Sequence, residues 1–493
     1  MDILVATAKL AEGTVRKAVG SKAHTIVLDI EIAAFITPRR LLEALKDQQL
    51  QEHYDIIFVP GLVSGDFSRV AEELGTKIYL GPKHAYDLGY VLDFVGKIEF
   101  STKVPACELL ADVRKKLALE KVEQLEASCE PLMWIKDLKL GGGSRMKILA
   151  EIVDATGMET TALEKKILTF VNRDADMIDL GASFNATPED VERTIRNARK
   201  VTTLPISIDT LEAALLTRAI ETGVDLVLSL NNGNLDEIGP LAARAQVPVV
   251  IIPDNSEGLD SLVQNIKKAK EIGIRKIIAD PVLDPIGHGI ASSIVRYYEF
   301  HKLFPEIPVF FGAGNVTELL DVDSHGVNAT LCGIAAELGA SILFTPEYSN
   351  KAQGSIRELK LASQMMILAT ERQSSPKDLG IDLIELKEKR RRADAVMPSG
   401  FRKAKERRMW KIDPAGSVRI GIMPDEERTS KGLIVAEHET SAIVGTNAKA
   451  VLDTLIDMQL VSTLEHAGYL GRELKKAEIA LKLNRSYAQD DEF

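Results

Sequence analysis

Eight short apolar runs, each ending in a polar side chain, are the feature that most limits how this sequence can fold. The runs alternate with helical stretches such as TPEDVERTIRNARKV, in which Thr187 can cap the helix and Pro188 falls in the first turn. Eight strands that alternate with helices over about 200 residues predict a (β/α)8 barrel. The polar strand ends, spaced about 22 to 35 residues apart, are Asp154, Asp179, Asp209, Asn231, Asp254, Asp280, Asn315 and Thr345.

The run LPISIDT, residues 204–210, ends on the carboxylate of Asp209 rather than on a turn residue. For any one such residue, capping of the next helix is the simpler explanation. In a (β/α)8 barrel, however, the C-terminal ends of all the strands form the ligand-binding face. Eight polar strand ends in one pattern therefore predict a shared polar pocket at that face.

The sequence on either side of the barrel predicts further domains, which makes the whole chain an α/β protein. Residues 1–140 alternate short apolar strands with amphipathic helices, as in a doubly wound parallel α/β domain. The barrel itself is predicted at 145–372 and a basic linker at 373–408. Residues 409–493 predict a small α+β domain, whose last helix has an apolar face for its own sheet or for a partner.

The composition excludes several classes of partner. The formal net charge is −11, so the chain has no overall attraction for nucleic acid or an anionic membrane. The basic run from Lys387 to Lys411 lacks interleaved aromatic residues, which favours a solvated helix and linker over a nucleic-acid or cobamide-phosphate contact. No apolar run is long enough to span a bilayer and the first residues predict a strand rather than a signal peptide, so we expect a cytoplasmic protein. Three scattered cysteines predict neither a disulfide nor a metal site.

Several strand motifs resemble those of pterin-binding barrels, the superfamily of dihydropteroate synthases and methyltetrahydrofolate methyltransferases. ADMIDLGASFNATPEDVERTI resembles the second strand of that group, LPISIDT with the stretch that follows resembles the third and fourth, and RKIIADPVLDPIGHG resembles the sixth. The resemblance covers roughly 145–370, and with its flanking domains the chain is similar to the archaeal dihydropteroate synthase-like proteins. The resemblance implies that the ligand is a reduced pterin of the tetrahydromethanopterin or tetrahydrofolate type.

The resemblance also implies which residues bind the pterin. Asp209 and Asp280 would accept the adjacent N–H donors of the aminopyrimidinone edge in charge-assisted hydrogen bonds. Asn231 or Asn232 would complete the polar rim, and the sequence leaves open which of the two does so. The family asparagine would fall near residue 228 or 229, where this chain has leucine and serine.

A second set of residues is implied in catalysis. The stretch GAGNVTE resembles the turn of the methyltransferases in which an asparagine hydrogen-bonds the pterin N5, and Asn315 occupies that place. An amide can stabilise the charge on a departing N5 without titrating, but it cannot supply the proton. Asp154 and Asp179 are the candidates for supporting proton transfer.

Departures from the synthase pattern favour methyl transfer over condensation. A dihydropteroate synthase holds a pyrophosphate with an arginine-containing loop after strand two, a lysine after strand seven and an Arg-x-His after strand eight. This chain has ASFNATP, GAGNVTE and LFTPEYS there, without those cations. Lys351, Arg357 and His288 are the cations of this chain that could substitute, and the sequence does not place any of them at the site.

Three functions remain open at this stage. The leading prediction is a transferase that moves the one-carbon unit of a reduced pterin, with a corrinoid on a partner protein as acceptor. One alternative is the Mg²⁺-dependent condensation of hydroxymethyl-dihydropterin pyrophosphate with an arylamine. The other is a non-catalytic pterin-binding accessory protein. Barrels of this type commonly pair through their outer helices, so a homodimer is a further expectation.

Overall fold

The computed structural model of the protein describes residues 1–47, 54–254, 258–377, 379–387, 401–405, 411–425 and 432–492. Part of the predicted basic linker, including most of the run from Lys387 to Lys411, lies outside these ranges. The chain forms two units, Met1–Gln124 with Asp378–Ile381, and Leu125–Lys377 with Asp382–Phe493. The domain boundaries that the sequence suggests within these units remain predictions.

The first unit is built on a parallel sheet with helices on both faces. Its strands are β1 (Ile3–Ala8), β2 (His24–Leu28), β3 (Ile56–Val59) and β4 (Lys77–Leu80), and its helices are α1 (Glu12–Val19), α2 (Pro38–Asp47), α3 (Ser68–Leu74), α4 (Leu88–Leu92) and α5 (Ala106–Ser128), which continues into the second unit. The strand order is β2-β1-β3-β4. Leu4 packs in one core with Leu41, while Val5 packs in another with Val15, so alternate residues of β1 face helices on opposite sides. This confirms the predicted doubly wound arrangement.

A closed barrel of eight parallel strands dominates the second unit. It follows a short antiparallel hairpin of β5 (Met133–Ile135) and β6 (Leu138–Leu140). The barrel strands are β7 (Lys147–Ile152), β8 (Met177–Gly181), β9 (Ile206–Asp209), β10 (Leu226–Leu230), β11 (Val249–Ile251), β12 (Ile277–Ala279), β13 (Val309–Phe311) and β14 (Ala340–Thr345). Closure between β14 and β7 completes the ring and confirms the predicted (β/α)8 barrel.

Helices cover the outside of the barrel between its strands. The capping box predicted at Thr187 is present: its hydroxyl accepts from the backbone N–H of Asp190 at 3.2 Å, and the Asp190 carboxylate accepts from the N–H of Thr187 at 3.0 Å. The helices are α6 (Thr160–Asn172), α7 (Pro188–Val201), α8 (Ala213–Thr222), α9 (Leu235–Ala245), α10 (Gly258–Ile272), α11 (Ile290–Leu303), α12 (Gly314–Thr317), α13 (Ser324–Glu337) and α14 (Ser355–Arg372). No helix in the described ranges is long and apolar enough to cross a membrane.

The N-terminal end of the barrel is closed by apolar packing and by paired charges. Ile135 and Leu140 of the hairpin belong to the same buried cluster as Leu149 and other inward-facing strand residues. The buried ammonium of Lys147 donates to the carboxylate of Glu126 at 2.7 Å. Among the described residues, this end of the barrel is therefore a closed core, and the opposite face is the one at which such barrels bind ligands.

The C-terminal part of the second unit is an antiparallel sheet covered by two helices. It contains β15 (Val418–Met423), β16 (Leu433–His438), β17 (Ser441–Gly445), α15 (Ala448–Asp457) and α16 (Leu464–Lys482). Leu470 and Leu474 of α16 share a buried cluster with Val418 and Ile434. The apolar face of the last helix thus covers its own sheet, and the predicted α+β domain is confirmed.

Removal of Asp176 tests how far paired charges stabilise the closed end. Its buried carboxylate accepts from Arg145 at 2.7 Å, Lys360 at 2.7 Å and the backbone N–H of Ile148 at 2.9 Å. We expect Asp176→Ala to lower the free energy of unfolding by about 3–5 kcal/mol, because the buried Arg145 and the half-buried Lys360 lose their partner. Denaturant unfolding followed by circular dichroism measures the change. Glu271→Ala, in an exposed pair with Lys267, is the control and should cost less than about 1 kcal/mol; equal losses in the two variants would contradict this assignment.

Candidate active site

Strand alternation places two carboxylates inside the barrel, face to face. Leu149 and Met177 belong to the interior cluster, so Glu151 and Asp179, two residues further along β7 and β8, point in the same direction. Glu151 and Asp179 are also register partners on these neighbouring strands. The pleat and the register of the barrel thus determine their proximity.

A third carboxylate joins them from the next strand. Asp209 ends β9, and one oxygen each of Glu151, Asp179 and Asp209 lies within 4.8 Å of the others. The hydroxyl of Ser207 donates a short hydrogen bond to Asp179 Oδ1, and the hydroxyl of Ser229 lies 3.4 Å from Asp209 Oδ1. We call Glu151, Asp179 and Asp209 the carboxylate cluster.

The carboxylate cluster has no neutralising cation among the described residues. Asp179 is fully buried, and its Oδ2 has no hydrogen-bond partner there. Burial, together with the nearby charges of Asp209 and Asp154, raises the pKa of Glu151 to about 7. Burial and the charges of Asp209 and Glu151 raise the pKa of Asp179, and burial raises that of Asp209. Burial therefore favours the protonated forms of all three carboxyl groups, and ligand groups that donate hydrogen bonds would favour the ionised forms.

A fourth carboxylate follows β12. Ile278 faces the interior cluster, so Asp280, two residues later, also points inward. Asp280 Oδ1 accepts from the hydroxyl of Tyr297 at 2.7 Å and from the backbone N–H of Val282 at 2.8 Å. Burial raises the pKa of Asp280 to about 6, although these two hydrogen bonds act in the opposite direction. Because the charge of Asp209 contributes to this shift, the structure brings Asp179, Asp209 and Asp280 together, as the sequence suggests.

The two asparagines predicted after β10 have other partners. The side chain of Asn231 accepts from the backbone N–H of Gly233 at 2.9 Å and closes its own turn. Asn232 is exposed, and its side-chain oxygen accepts from Lys268 at 3.0 Å. The residue that reaches the carboxylate cluster from β10 is Ser229, at the place where the family asparagine would fall. A role for either asparagine in pterin binding stays a prediction.

Asp154 and Asn315 lie at the rim of the site and are exposed. The carboxylate of Asp154 is close enough to Glu151 to raise its pKa. One N–H of the Asn315 side chain donates to the carbonyl of Leu283 at 2.9 Å, which leaves its second N–H for a ligand. Asp154 and Asn315 are therefore placed to contact a ligand bound above the carboxylate cluster, and they are not part of the cluster itself.

Sequence reasoning missed Glu151 and Tyr297. Counting the alternation back from the strand end would have found Glu151, because it is two residues after the apolar Leu149 in the same run. Tyr297 lies in the middle of α11 and gave no signal. Glu347, after β14, is also buried, but it has protein partners: it pairs with Arg173 and accepts from the backbone N–H of Ile356 at 2.8 Å.

The chemistry of these oxygens defines what the site can bind. Carboxylates accept hydrogen bonds from N–H donors, and three of them at this spacing could also hold a hard divalent cation, although the sequence predicted no metal site. The unpartnered Asp179 Oδ2 and the raised pKa values of the cluster indicate that acceptor capacity is present in excess. A ligand rich in N–H donors fits this set of residues.

Substitution of Glu151 tests how much the repulsion within the carboxylate cluster destabilises the folded protein. Because its pKa is raised in the folded state, Glu151 stabilises the fold below about pH 4.5, and this contribution is lost as the pH rises through about 7. We expect Glu151→Gln to raise the free energy of unfolding by about 1–3 kcal/mol at pH 8 and to change it little at pH 4.5.

Thermal and denaturant unfolding of the variant and the wild type at both pH values provide the measurement. Glu306→Gln, which removes an exposed carboxylate, serves as the control and should have little effect at either pH. A Glu151→Gln effect that is the same at pH 4.5 and pH 8 would mean that the carboxylate is not under electrostatic stress.

Comparison with known proteins places the chain in a family. A family model described as PterinBD-DUF4346 matches residues 412–490, and the model of the CO dehydrogenase/acetyl-CoA synthase delta subunit matches residues 147–302. Acetyl-CoA decarbonylase/synthase complex subunit gamma 2 of Methanosarcina thermophila is 27% identical over 42% of this chain, which spans about half (48%) of that subunit. The dihydropteroate synthase of Bacillus subtilis is 25% identical over 32% of this chain and 61% of its own length.

Solved structures and one full-length relative complete the comparison. Yersinia pestis dihydropteroate synthase with a pterine-sulfa conjugate matches with a TM-score of 0.39 and 19% identity, over 49% of this chain and 99% of that one. The uncharacterized protein MJ0107 of Methanocaldococcus jannaschii is 40% identical over 99% of this chain and 98% of its own length. This chain belongs to the family of MJ0107, a dihydropteroate synthase-like, pterin-binding family.

Proposed function

We propose that this protein binds a reduced pterin at the open face of its barrel and transfers the methyl group of the pterin to an acceptor on a partner protein. The observation that carries the proposal is the set of four inward carboxylates, Glu151, Asp179, Asp209 and Asp280, none of which forms an ion pair with a cation in the described ranges. Such a site offers hydrogen-bond acceptors and rejects anions.

Asp209 and Asp280 are the residues that would hold the pterin. An aminopyrimidinone edge presents adjacent N–H donors, and ionised carboxylates accept them in charge-assisted hydrogen bonds. Asp280 keeps Oδ2 for this purpose, because its protein donors both go to Oδ1. Ser229 stands beside Asp209 and can orient it.

The proposed chemistry requires a proton for the nitrogen that loses its methyl group. The N5–CH3 bond breaks, the methyl carbon bonds to a nucleophile of the acceptor, and the electron pair left on N5 takes up a proton. Glu151 titrates near neutrality, and a group with such a pKa is suited to act as general acid. Asp179 lies against Glu151 and can share its proton, while the exposed Asp154 connects this pair with solvent. The free N–H of Asn315 would stabilise N5 without titrating.

The site gives less support to the synthase alternative. A departing pyrophosphate needs fixed positive charge, and two of the candidate cations already have partners. Lys351 pairs with Asp321 at 2.5 Å, and Arg296 is bonded to loop carbonyls and to Asp284. Arg357 and His288 are exposed. The synthase reaction would therefore need Mg²⁺ to offset the carboxylates, and a dependence on this ion distinguishes it. The synthase reaction stays the second candidate because the chain is similar to the dihydropteroate synthase of Bacillus subtilis.

A partner protein is supported by the surface around the open face. Large apolar side chains are exposed in loops after four barrel strands, which in a parallel barrel all emerge on the same side. Exposed apolar groups around a pocket are typical of protein contact sites. Relatives of this chain are named as subunits of an acetyl-CoA decarbonylase/synthase complex, which supports a partner protein, and a corrinoid on that partner is the acceptor that we propose. The exposed residues are Phe184, Leu211, Leu319 and Tyr348.

Pterin binding is tested by isothermal titration of the full chain with methyl-tetrahydromethanopterin. We expect measurable binding to the wild type and a loss of about 10- to 100-fold in affinity for Asp209→Asn, because a charge-assisted hydrogen bond contributes about 1.5–3 kcal/mol. Asp260→Asn, an exposed aspartate on α10, is the matched control and should bind like the wild type.

Two further outcomes separate the alternatives. Preference for dihydropterin pyrophosphate with Mg²⁺ would favour the synthase. Tight binding of the methylated pterin, without methyl loss when a reduced corrinoid protein is added, would favour the accessory role. An absence of heat with either ligand would overturn the pterin assignment.

A further inference from the structure

Tyr297, in the middle of α11, controls one oxygen of Asp280. Its fully buried hydroxyl lies 2.7 Å from Asp280 Oδ1 and 3.0 Å from the carbonyl oxygen of Phe310. The backbone N–H of Val282 donates to the same Oδ1 at 2.8 Å. Asp280 Oδ2 receives no hydrogen bond from any part of the chain that the structure describes. The carboxylate is thus held by one oxygen, and the other stays available.

Arg296, the residue before Tyr297, holds the loop that follows Asp280. Its Nε donates to the carbonyl of Pro281 at 2.5 Å, and its Nη2 donates to the carbonyl of Val282 at 2.5 Å. The same Nη2 lies 3.1 Å from Asp284 Oδ2. The guanidinium therefore ties three consecutive parts of the loop to α11.

The loop needs this restraint because its backbone is strained. Val282 has φ of 66°, in the left-handed region that a β-branched side chain rarely adopts. Such a conformation costs on the order of 1–3 kcal/mol and persists only where its surroundings fix it. Asn315 contributes from the neighbouring loop through its bond to the carbonyl of Leu283. The carbonyls of residues 281, 282 and 283 are thus each bonded by a side chain.

We propose that Arg296 and Tyr297 are positioning residues, which hold the loop after β12 so that Asp280 presents a single free oxygen to an N–H donor of the bound ligand. Neither residue needs to touch the ligand, since both act through the loop. The proposal rests on the pterin site proposed above. The proposal also limits which ligands can bind. A carboxylate with one free oxygen in a fixed orientation selects a hydrogen-bond donor at that place and disfavours an acceptor or an anion there.

The charge on Asp280 provides a readout that a purely structural role would not change. The groups that act on it, besides its own burial, are Tyr297 and Arg296 of α11, the N–H of Val282 in its own loop, and Asp209 of β9. Tyr297 and Arg296 favour the ionised form and Asp209 opposes it. Removal of the Tyr297 hydroxyl should therefore raise the pKa of Asp280 above about 6.

The first test is Tyr297→Phe in the full chain, titrated with methyl-tetrahydromethanopterin across pH 5 to 8. We expect about a tenfold loss of affinity at pH 7, and an acid midpoint of binding that moves to higher pH. The matched control is Tyr298→Phe, which removes a hydroxyl from the next residue of α11, where the side chain is 54% exposed. This control should bind like the wild type at every pH.

A second test needs no ligand. With ¹³C-labelled aspartate, the carboxyl resonance of Asp280, assigned through Asp280→Asn, reports its titration in the wild type and in Tyr297→Phe. A higher midpoint in the variant supports the positioning role even if the wild type binds no pterin, in which case only the proposed function fails. An unchanged midpoint together with unchanged affinity in a folded Tyr297→Phe overturns the inference.

Arg296→Lys covers the case in which Tyr297→Phe does not fold. Lysine keeps the positive charge but cannot donate to two carbonyls from a planar fork. We expect weaker pterin binding with a small change in melting temperature. A variant that is less stable yet binds with wild-type affinity would show that Arg296 only stabilises the fold, and would overturn its positioning role.

Discussion

The site depends on the confinement of like charges by strand alternation. Glu151 and Asp179 cannot move apart, because each is fixed by an apolar neighbour two residues earlier on its strand and by the register that pairs them. Water screens the repulsion poorly at Asp179, since this side chain is fully buried above the apolar core. Ionisation of the carboxylate cluster therefore destabilises the folded state, and bound protons or ligand N–H groups offset this cost.

The two ends of the barrel differ in whether their charged side chains are paired. At the closed end, Asp176 is paired with Arg145 and Lys360, and Lys147 is paired with Glu126. At the open end, no such pairing compensates the carboxylate cluster within the described residues. Since the same fold builds both, the lack of pairing at the open end is a property of the site. It fits the general division of these barrels into an end that stabilises and an end that reacts.

The sequence revealed the barrel and three of its four carboxylates for a definable reason. Strand period and spacing are local properties, so the ends of β8, β9 and β12 could be located and their aspartates assigned to one face. Glu151 was missed because the first strand was taken to end at Asp154, although the inward position is set by alternation rather than by the end. Asn232 and Tyr297 could not be assigned from the sequence because their partners lie on other elements of the barrel. Asn232 accepts from Lys268, and Tyr297 donates to Asp280. Such contacts depend on packing that no local pattern encodes.

Hydrogen bonding separates the roles of carboxylates that share one environment. Asp280 and Glu151 are both half-buried near other acids. Asp280 accepts two hydrogen bonds from the protein and has a pKa of about 6, while Glu151 accepts none among the described residues and has a pKa of about 7. Near neutral pH the first is mostly ionised and can accept hydrogen bonds, while the second still carries its proton for much of the time. Under the proposed function, environments that separate two carboxyl groups in this way suit Asp280 for binding and Glu151 for acid catalysis. The hydrogen bonds that Tyr297 of α11 and the loop after β12 donate to Asp280 thus distinguish this carboxylate from Glu151, and the proposed function rests on that difference.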